Sequence, residues 1–275
     1  MRAHLAGIDH AVIVVRDLDK ARDAYARMGF TLTPRGHHTL GSQNHCIMFG
    51  RDYLELMAVP KPHPALQAFS DFVARGDGLG AIALATGDAA ALGASLEADG
   101  VRVRPPVDFS RPVAALGEAR FRILQLEPDD SRGCIVFACQ HFTPELVWRD
   151  EYRAHPVGAT GIAALAIVSD DVARAARGFG AIAGSAPQAI AEGELVTTGG
   201  APLALASRWK LGHRLHGVGL PIRARPNVAA LFVRVADRAR AAATLRRNGL
   251  APIALRDGSF AVHAEDAQGV AVIFG

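Results

Sequence analysis

The chain has 275 residues, of which 50% are hydrophobic and 6% aromatic, and its formal net charge is +3. This length suits one large domain or two of ordinary size, and the small, scattered excess of arginine argues against a nucleic-acid surface. The sequence has no apolar run long enough to cross a membrane, no signal-peptide core and no Cys-x-x-Cys pair, so we expect a cytoplasmic protein.

The first stretch of the chain, residues 7–29, predicts a strand, a tight junction and an amphipathic helix. The strand is an apolar run rich in β-branched residues, and His10 interrupts it. Asp17 is placed to cap the helix with its carboxylate, and Gly29 is placed to end it in a left-handed conformation.

This pattern occurs four times. The copies begin at residues 7, 78, 161 and 227, and each reaches an aspartate ten residues later. In the first, second and fourth copies a glycine follows that aspartate by twelve residues. In the third copy Gly180 follows Asp171 by only nine residues, which predicts a helix about one turn shorter. A repeat of this length exceeds a solenoid unit, so we interpret each copy as a folded module.

The first module is predicted to add three strands after its helix, which gives the order βαβββ. The first of these strands covers residues 30–33, and the last covers 53–59, with the sequence YLELMAV. Glu55 lies inside this last apolar run, where an ionised carboxylate is costly without a partner. Glu55 is therefore a candidate site residue.

We expect the modules to form two halves. The N-terminal half, residues 1–148, contains modules 7–59 and 78–142. The C-terminal half, residues 160–275, contains the more degenerate modules 160–207 and 227–275. The Arg- and Pro-rich segment near 102–112 is interpreted as a loop, the basic segment 208–226 as a loop or a connector between modules, and 143–159 as the connection between the halves.

The first module resembles the vicinal oxygen chelate superfamily and, more narrowly, its glyoxalase-like members. The likeness rests on GIDHAVIVVRDLDKARDAYARMGF, on the segment from His38 through Gly41 and Ser42 to Asn44, where Ser replaces the usual Thr, and on the closing YLEL. It is close over residues 7–59 and moderate over 78–148. In the last two modules it rests on spacing and on the final DAQGVAVIF.

The resemblance implies an α+β fold. In it, four tandem βαβββ modules pair into two curved, mostly antiparallel sheet or barrel halves around a cleft. It also implies one divalent metal ion that acts on substrates with adjacent oxygens, held by His10 with Glu55 beside it. The fourth residues of the four modules are, in order, His10, Ala81, Ala164 and Ala230. Only the first module therefore offers a ligand at this position.

Pairing of the first two modules would bring His141, which follows the last strand of module two, to the same cleft. His10, Glu55 and His141 would then bind Zn, Mn, Fe, Co or Ni, with positions left open for substrate. Alternatives remain: His141 can hydrogen-bond the connection between the halves instead, and His38 or His45 can supply the third ligand or bind substrate. Ser42 and Asn44 either orient a substrate or form a turn.

Three classes of function follow. The first is a metal-dependent lyase or isomerase of the glyoxalase type, in which Glu55 shuttles a proton if it is not tied up as a ligand. The second is a ring-cleaving, extradiol-type dioxygenase, but those enzymes keep their ligands in the C-terminal modules, where this chain has Ala164 and Ala230. The third is a metal-free protein that binds or sequesters a small molecule. We favour the first, with a small-molecule substrate, a structural C-terminal half and a monomeric or homodimeric chain.

Overall fold

The computed structural model describes residues 1–129, 132–221 and 226–275. The strands of these residues form two eight-stranded sheets, one from each half of the chain. Each sheet combines two runs of a strand, a helix and three further strands. The predicted fold class, an α+β fold of βαβββ modules paired into two mostly antiparallel sheets, is confirmed.

The first sheet and its helices have the bounds β1 Ile8–Val14, α1 Leu18–Arg27, β2 Gly36–His37, β3 Gln43–Met48, β4 Tyr53–Ala58, α2 Gln67–Val73, β5 Gly78–Ala85, α3 Ala89–Ala98, β6 Val107–Val113, β7 Gly117–Gln125 and β8 Ile135–His141. The second has β9 Ala159–Val168, α4 Val172–Ala183, β10 Gln188–Ile190, β11 Gly193–Val196, β12 Leu203–Ala206, α5 Arg208–Arg214, β13 Asn227–Val235, α6 Arg238–Arg247, β14 Ile253–Ala254, β15 Phe260–Val262 and β16 Ala271–Phe274. Short 3-10 helices occupy Pro64–Leu66, Pro144–Leu146, Asp150–Tyr152 and Ala264–Ala267.

The two modules of each half meet at their first strands. The strand order is β2-β3-β4-β1-β5-β8-β7-β6 in the first sheet and β10-β11-β12-β9-β13-β16-β15-β14 in the second. The first strands pair antiparallel, whereas the first and last strands of one module pair parallel. The outer edges of the first sheet also touch, because the backbone N–H of Thr39 donates to the carbonyl oxygen of Ser110 at 2.9 Å. The first sheet is therefore nearly closed into a barrel.

The aspartates of the repeat cap its helices. Asp17, Asp88, Asp171 and Asp237 each accept a hydrogen bond from the backbone N–H three residues further on, at 2.9–3.0 Å. Such a cap contributes about 1 kcal/mol to helix stability. The glycine that follows α1, Gly29, has a φ of 88°, a backbone conformation that favours glycine.

The helix of the third module departs from its predicted length. Helix α4 continues through Gly180 to Ala183, and Gly184 is its C-cap with a φ of 62°. A Cβ atom at Gly180 would lie 2.7 Å from the carbonyl oxygen of Ser185, so this glycine allows the following chain to pack closely. The prediction of a shorter helix is wrong because it assigned a packing glycine to a helix end.

Three local predictions are also wrong. Residues 30–33 are not a strand, and the first strand after α1 is the two-residue β2. Strand β6 begins within 102–112, and it tolerates Pro112 because it lies at the edge of the sheet. Helix α5 begins the segment 208–226, with Ser207 as its N-cap. Residues 222–225 of that segment lie outside the described residues.

The core has three parts. The largest cluster of buried side chains is shared by both halves and includes the helix-facing residues of the two sheets. A second cluster lines the other, concave side of the first sheet, with Val12 and Val14 from β1 and several aromatic rings. A third lies on the corresponding side of the second sheet and is built largely from alanine, with Leu211 of α5 packed on it. The candidate site lies within the second cluster.

Candidate active site

A cavity of about 50 Å³ lies on the concave side of the first sheet. Most of its wall is apolar and aromatic, and its polar side chains are His10, His38, Ser42, Asn44, Glu55 and Arg111. A cavity of this size holds a few water molecules or one small polar group. A largely apolar cavity with a few convergent polar groups is the usual form of a small-molecule site.

A β-bulge in β1 sets the geometry of the site. Ile8 pairs with Leu84 and His10 with Ala83, so Asp9 is an extra residue with no partner in β5. In a regular strand Asp9 and His10 would point to opposite faces. The bulge brings them together instead, with Asp9 Oδ1 2.6 Å from His10 Nδ1.

The same bulge occurs in all four modules. The extra residues are Asp9 in β1, Gly80 in β5, Ala163 in β9 and Ala229 in β13, which are the third residues of their modules. The residue after each bulge is the fourth of its module, where the first module has His10 and the others have alanine. All four modules therefore share the bulge, and only the first module has polar side chains at its two positions.

His10 and Glu55 meet in the cavity, as the resemblance implies. Both are buried, with 3% and 7% of their surface exposed. His10 Nε2 lies 3.6 Å from Glu55 Oε2, and the imidazole stacks on Tyr53 with 4.3 Å between ring centroids. The other carboxylate oxygen, Glu55 Oε1, accepts a hydrogen bond from Asn44 Nδ2 at 2.7 Å. Asn44 thus orients the carboxylate.

The hydrogen bonds of Asp9 fix the proton on the His10 ring. Burial raises the pKa of Asp9, but hydrogen bonds from His10 and His141 outweigh it and lower this pKa to about 2. An ionised carboxylate only accepts, so His10 Nδ1 carries a proton. In a neutral His10, Nε2 is then an acceptor that faces an acceptor oxygen of Glu55. A metal ion or a proton placed between these two atoms would stabilise this arrangement.

His38 and Ser42 form one wall of the cavity. His38 Nδ1 lies 2.8 Å from Ser42 Oγ, and His38 Nε2 lies 3.4 Å from Asn44 Nδ2. Because the amide nitrogen of Asn44 only donates, His38 Nε2 is the acceptor of this pair. Burial lowers the pKa of His38 to about 4, so the ring is neutral at neutral pH. The ring also packs edge-on against Phe109 of the second module, at 5.2 Å.

His141 joins Asp9 and not the His10–Glu55 pair. Its Nε2 lies 3.1 Å from Asp9 Oδ1 and 3.5 Å from Cys139 Sγ. Among the described residues, Asp9, Cys139 and His141 are the one group of three potential metal ligands whose ligand atoms all lie within 4.8 Å of one another. The set of His10, Glu55 and His141 is not assembled here, because the Asp9 carboxylate lies between the two histidines.

His45 lies away from the cavity. Along β3 the side chains alternate, so Asn44 and Cys46 line the cavity and His45 faces the other side of the sheet. There its Nδ1 lies 2.7 Å from the carbonyl oxygen of Thr33. His45 is therefore not placed to bind a substrate in this cavity.

Comparison with known proteins identifies the family. A family model described as Glyoxalase-like domain matches residues 8–182, which is more than half of the chain. The chain belongs to this family. The predicted resemblance to glyoxalase-like members of the vicinal oxygen chelate superfamily is thus confirmed. No functionally curated protein matches the sequence significantly.

Solved structures share the fold of this glyoxalase-like chain. A hypothetical protein from Staphylococcus aureus superposes with a TM-score of 0.72 at 13% identity, over 98% of both chains. A mutant of 4-hydroxymandelate synthase from Streptomyces coelicolor superposes with a TM-score of 0.63 at 13% identity, over 98% of this chain and 92% of that chain. At these identities the likeness concerns the fold alone. Among the described residues, no helix combines the length and hydrophobicity that a membrane crossing requires.

Strand register identifies the counterparts of Glu55 in the other modules. Glu55 pairs with Val12, the sixth residue of its module. The residues in the equivalent register are Phe137, Ala204 and Ile273. None of them can bind a metal, and neither can the alanines that correspond to His10. The glyoxalase-like chain therefore keeps the polar pair in its first module alone.

Two polar residues of the cavity region are absent from the predicted site. Asp9 is missed because strand alternation places it on the opposite face, and only the bulge corrects this. Arg111 is missed because residues 102–112 are interpreted as a loop. The alternation of β6 does contain the signal, since Val107, Phe109, Arg111 and Val113 fall on one face of that strand.

Proposed function

We propose that this glyoxalase-like chain is a metal-dependent lyase or isomerase that acts on a small substrate with adjacent oxygens. The observation that carries the proposal is the His10–Glu55 pair, in which Nε2 and Oε2 face each other at 3.6 Å inside the cavity. One imidazole nitrogen and one carboxylate oxygen are suitable ligands for first-row divalent metals. When bound there, such an ion would polarise the substrate oxygens as a Lewis acid.

The surroundings of the pair support a metal site. Histidines that ligate metals usually donate their other ring N–H to a carboxylate, and His10 Nδ1 lies 2.6 Å from Asp9 Oδ1. Ligating carboxylates are usually hydrogen-bonded as well, and Asn44 donates to Glu55 at 2.7 Å. Both potential ligands are thus oriented by neighbours that do not bind the ion themselves.

His38 is the proposed proton acceptor. Glu55 cannot accept a substrate proton while it serves as a metal ligand, whereas His38 is neutral and its Nε2 accepts only a long hydrogen bond of 3.4 Å from Asn44, which a substrate proton can replace. Ser42 holds the ring in this tautomer through its contact with Nδ1. His38 is therefore proposed to take up or return a proton, and Asn44 and Ser42 to orient the groups around it.

Metal content after purification tests this proposal. We expect about one divalent ion per chain in the natural protein and a large loss of that ion in His10→Ala. His37→Ala is the matched control, because His37 is exposed on the short strand β2 and should leave the metal content unchanged. A natural protein that binds no first-row metal, even after dialysis against Zn, Mn, Fe, Co or Ni, would overturn the proposal.

A metal-free binding protein is the second candidate. It is favoured by the counterparts Ala81 and Phe137, which leave the site with two ligands from one module. In this case no metal ion lies between His10 and Glu55. Metal titration of the natural protein separates the candidates: a protein that takes up no metal but binds a small organic molecule in the cavity supports binding without metal.

The ring-cleaving dioxygenase finds no support in the C-terminal half. The counterparts of His10 and Glu55 there are Ala164, Ala204, Ala230 and Ile273. We propose instead that this half is structural and contributes to the core that both halves share.

A further inference from the structure

We propose that Arg111 binds the carboxylate of the substrate, so that the substrate class of this site is a small organic carboxylate. The inference rests on the proposed function, because it places the substrate in the same cavity. Arg111 lies on the edge strand β6 and lines the cavity with only 8% of its surface exposed.

The guanidinium of Arg111 has no protein partner in the part of the chain that the structure describes: it makes neither a hydrogen bond nor an ion pair there. Its nitrogens are not sealed inside the protein, so they face the open space of the cavity, and a cation placed there without a protein partner is available to pair with a ligand anion.

Arg2 is a useful comparison, since it is equally buried. Its guanidinium donates to the carbonyl oxygens of Ile182, Ser95 and Ala181 and forms an ion pair with Asp99 at 2.7 Å. Where a buried arginine has a structural role, as Arg2 does, the fold supplies hydrogen-bond acceptors for its guanidinium. Arg111 lacks such a set of acceptors and lines a cavity instead.

Gly36 brings Arg111 to the polar end of the cavity. A Cβ atom at this glycine would lie 3.1 Å from Arg111 Cδ and 2.3 Å from Asn44 Oδ1. The arginine stem therefore passes over a residue without a side chain and lies beside Asn44. Because Asn44 also holds Glu55, a ligand paired with Arg111 lies next to the His10–Glu55 pair.

The surrounding groups select the anion. The guanidinium fork matches a carboxylate with two parallel hydrogen bonds. The Glu55 carboxylate lines the same cavity, and it would repel a second negative charge on the ligand. The wall next to Arg111 is apolar, with Phe109 stacked on Phe121 at 5.0 Å. A singly charged carboxylate with a small apolar body fits better than a phosphate dianion.

The test uses propionate, its neutral isostere propionamide and inorganic phosphate as probes. Binding to the full-length protein is measured by calorimetry, with and without added Zn²⁺. The variants are Arg111→Gln, which removes the charge, and Arg111→Lys, which keeps the charge but loses the fork. The matched control is Arg120→Gln, an exposed arginine on the adjacent strand β7.

We expect propionate to bind in preference to propionamide and phosphate. Arg111→Gln should weaken propionate binding by about tenfold to a hundredfold, Arg111→Lys by less, and Arg120→Gln should have no effect. Arg111→Gln should also fold normally and be no less stable than the natural protein, because the guanidinium makes no hydrogen bond or ion pair with the described residues that the variant would lose. Equal binding of propionate by the natural protein and Arg111→Gln, or a preference for phosphate, would overturn the inference.

The two proposals can fail separately. If propionate binding depends on Arg111 but no metal binds, the metal-dependent function fails and the carboxylate site stands. If metal binds through His10 while Arg111→Gln leaves propionate binding unchanged, the carboxylate site fails and the proposed function stands.

Discussion

Glu55 lies where a carboxylate is costly, in an apolar strand, with one oxygen held by Asn44 and the other facing His10. Glu55→Gln keeps the shape and an acceptor for Asn44 but removes the charge. We expect it to lower metal affinity sharply while the protein stays folded. In the metal-free protein the melting temperature should stay equal or rise, because burial of the carboxylate is avoided. Metal titration and thermal denaturation of the same samples measure both effects.

The opposite pair of results would contradict a functional Glu55. If Glu55→Gln unfolds the protein and the remaining folded fraction binds metal unchanged, Glu55 is a core hydrogen-bonding residue.

Asp9 acts through His10, which makes it a positioning residue. Asp9→Asn keeps the size of the side chain but offers a weaker acceptor to His10 Nδ1, 2.6 Å away in the natural protein. We expect about a tenfold to hundredfold loss of metal affinity, the usual effect of removing a partner of a ligating histidine. Competition with a chelator measures this loss. Asp23→Asn on the exposed face of α1 is the control, and an unchanged affinity in Asp9→Asn would contradict the orienting role.

At the scale of elements, the recurring bulge has a different side-chain requirement in each module. At Gly80 in β5, an added Cβ would lie 2.8 Å from Val14 Cγ2 and 2.9 Å from Phe72 Cδ1 of helix α2. Gly80→Ala should therefore destabilise the protein by about 1–3 kcal/mol, the cost of overpacking a core. Chemical denaturation measures the loss.

The control for this prediction is Gly87→Ala, because a Cβ at Gly87 meets no atom within 4 Å. Equal stability of the Gly80→Ala and natural proteins would show that α2 does not pack tightly on the bulge. The counterpart of Gly80 in the second half, Ala229, carries a Cβ although helix α5 follows the third module as α2 follows the first.

At the scale of the whole molecule, a half-buried acid connects the two halves. Asp52, in the turn before β4, accepts a hydrogen bond from the backbone N–H of Ile162 in β9 at 3.0 Å. Burial raises the pKa of Asp52 to about 6, although the Ile162 hydrogen bond and Arg234 act in the opposite direction. Because the folded state binds this proton more tightly than the unfolded state, its contribution to stability is lost as pH rises from about 4 to 6.

Asp52→Asn keeps an acceptor for Ile162 and removes the titrating group. We expect it to increase the free energy of unfolding at pH 7 by about 1–2 kcal/mol and therefore to raise the melting temperature there. Below about pH 4 we expect little effect. Thermal denaturation over a pH series measures the difference, with the exposed Asp170→Asn as control. A variant that is less stable than the natural protein at pH 7 would show that the Asp52–Arg234 attraction outweighs burial.

The two halves are expected to unfold together. They share the largest core cluster. His155, in the connection between them, also contacts the first half: its Nε2 lies 2.9 Å from the carbonyl oxygen of Met48, and its Nδ1 accepts from the backbone N–H of Thr31 at 3.0 Å. The predicted boundary within 149–159 stays a prediction, because the hydrogen bonds of His155 couple this segment to the first half.

The sequence by itself determined the modules and the identity of the central pair. Strand–aspartate–helix–glycine is a local pattern, since N-caps and left-handed glycines act within a few residues of chain, and it located all four first strands and their helices. His10 and Glu55 were identifiable because each is a polar residue in an apolar strand. The family motifs placed these two strands side by side.

The tertiary structure decided which side chains share the cavity. A bulge depends on the register with a partner strand, so the position of Asp9 next to His10 could not be read from β1 alone. Because the bulge places Asp9 beside His10, His141 contacts Asp9 and not the His10–Glu55 pair. Arg111 enters the cavity because the barrel nearly closes, which brings β6 next to β2. The contact at this closure joins Thr39 and Ser110, which are about seventy positions apart in sequence. Contacts of this kind depend on the packing of distant strands, and no local pattern encodes them.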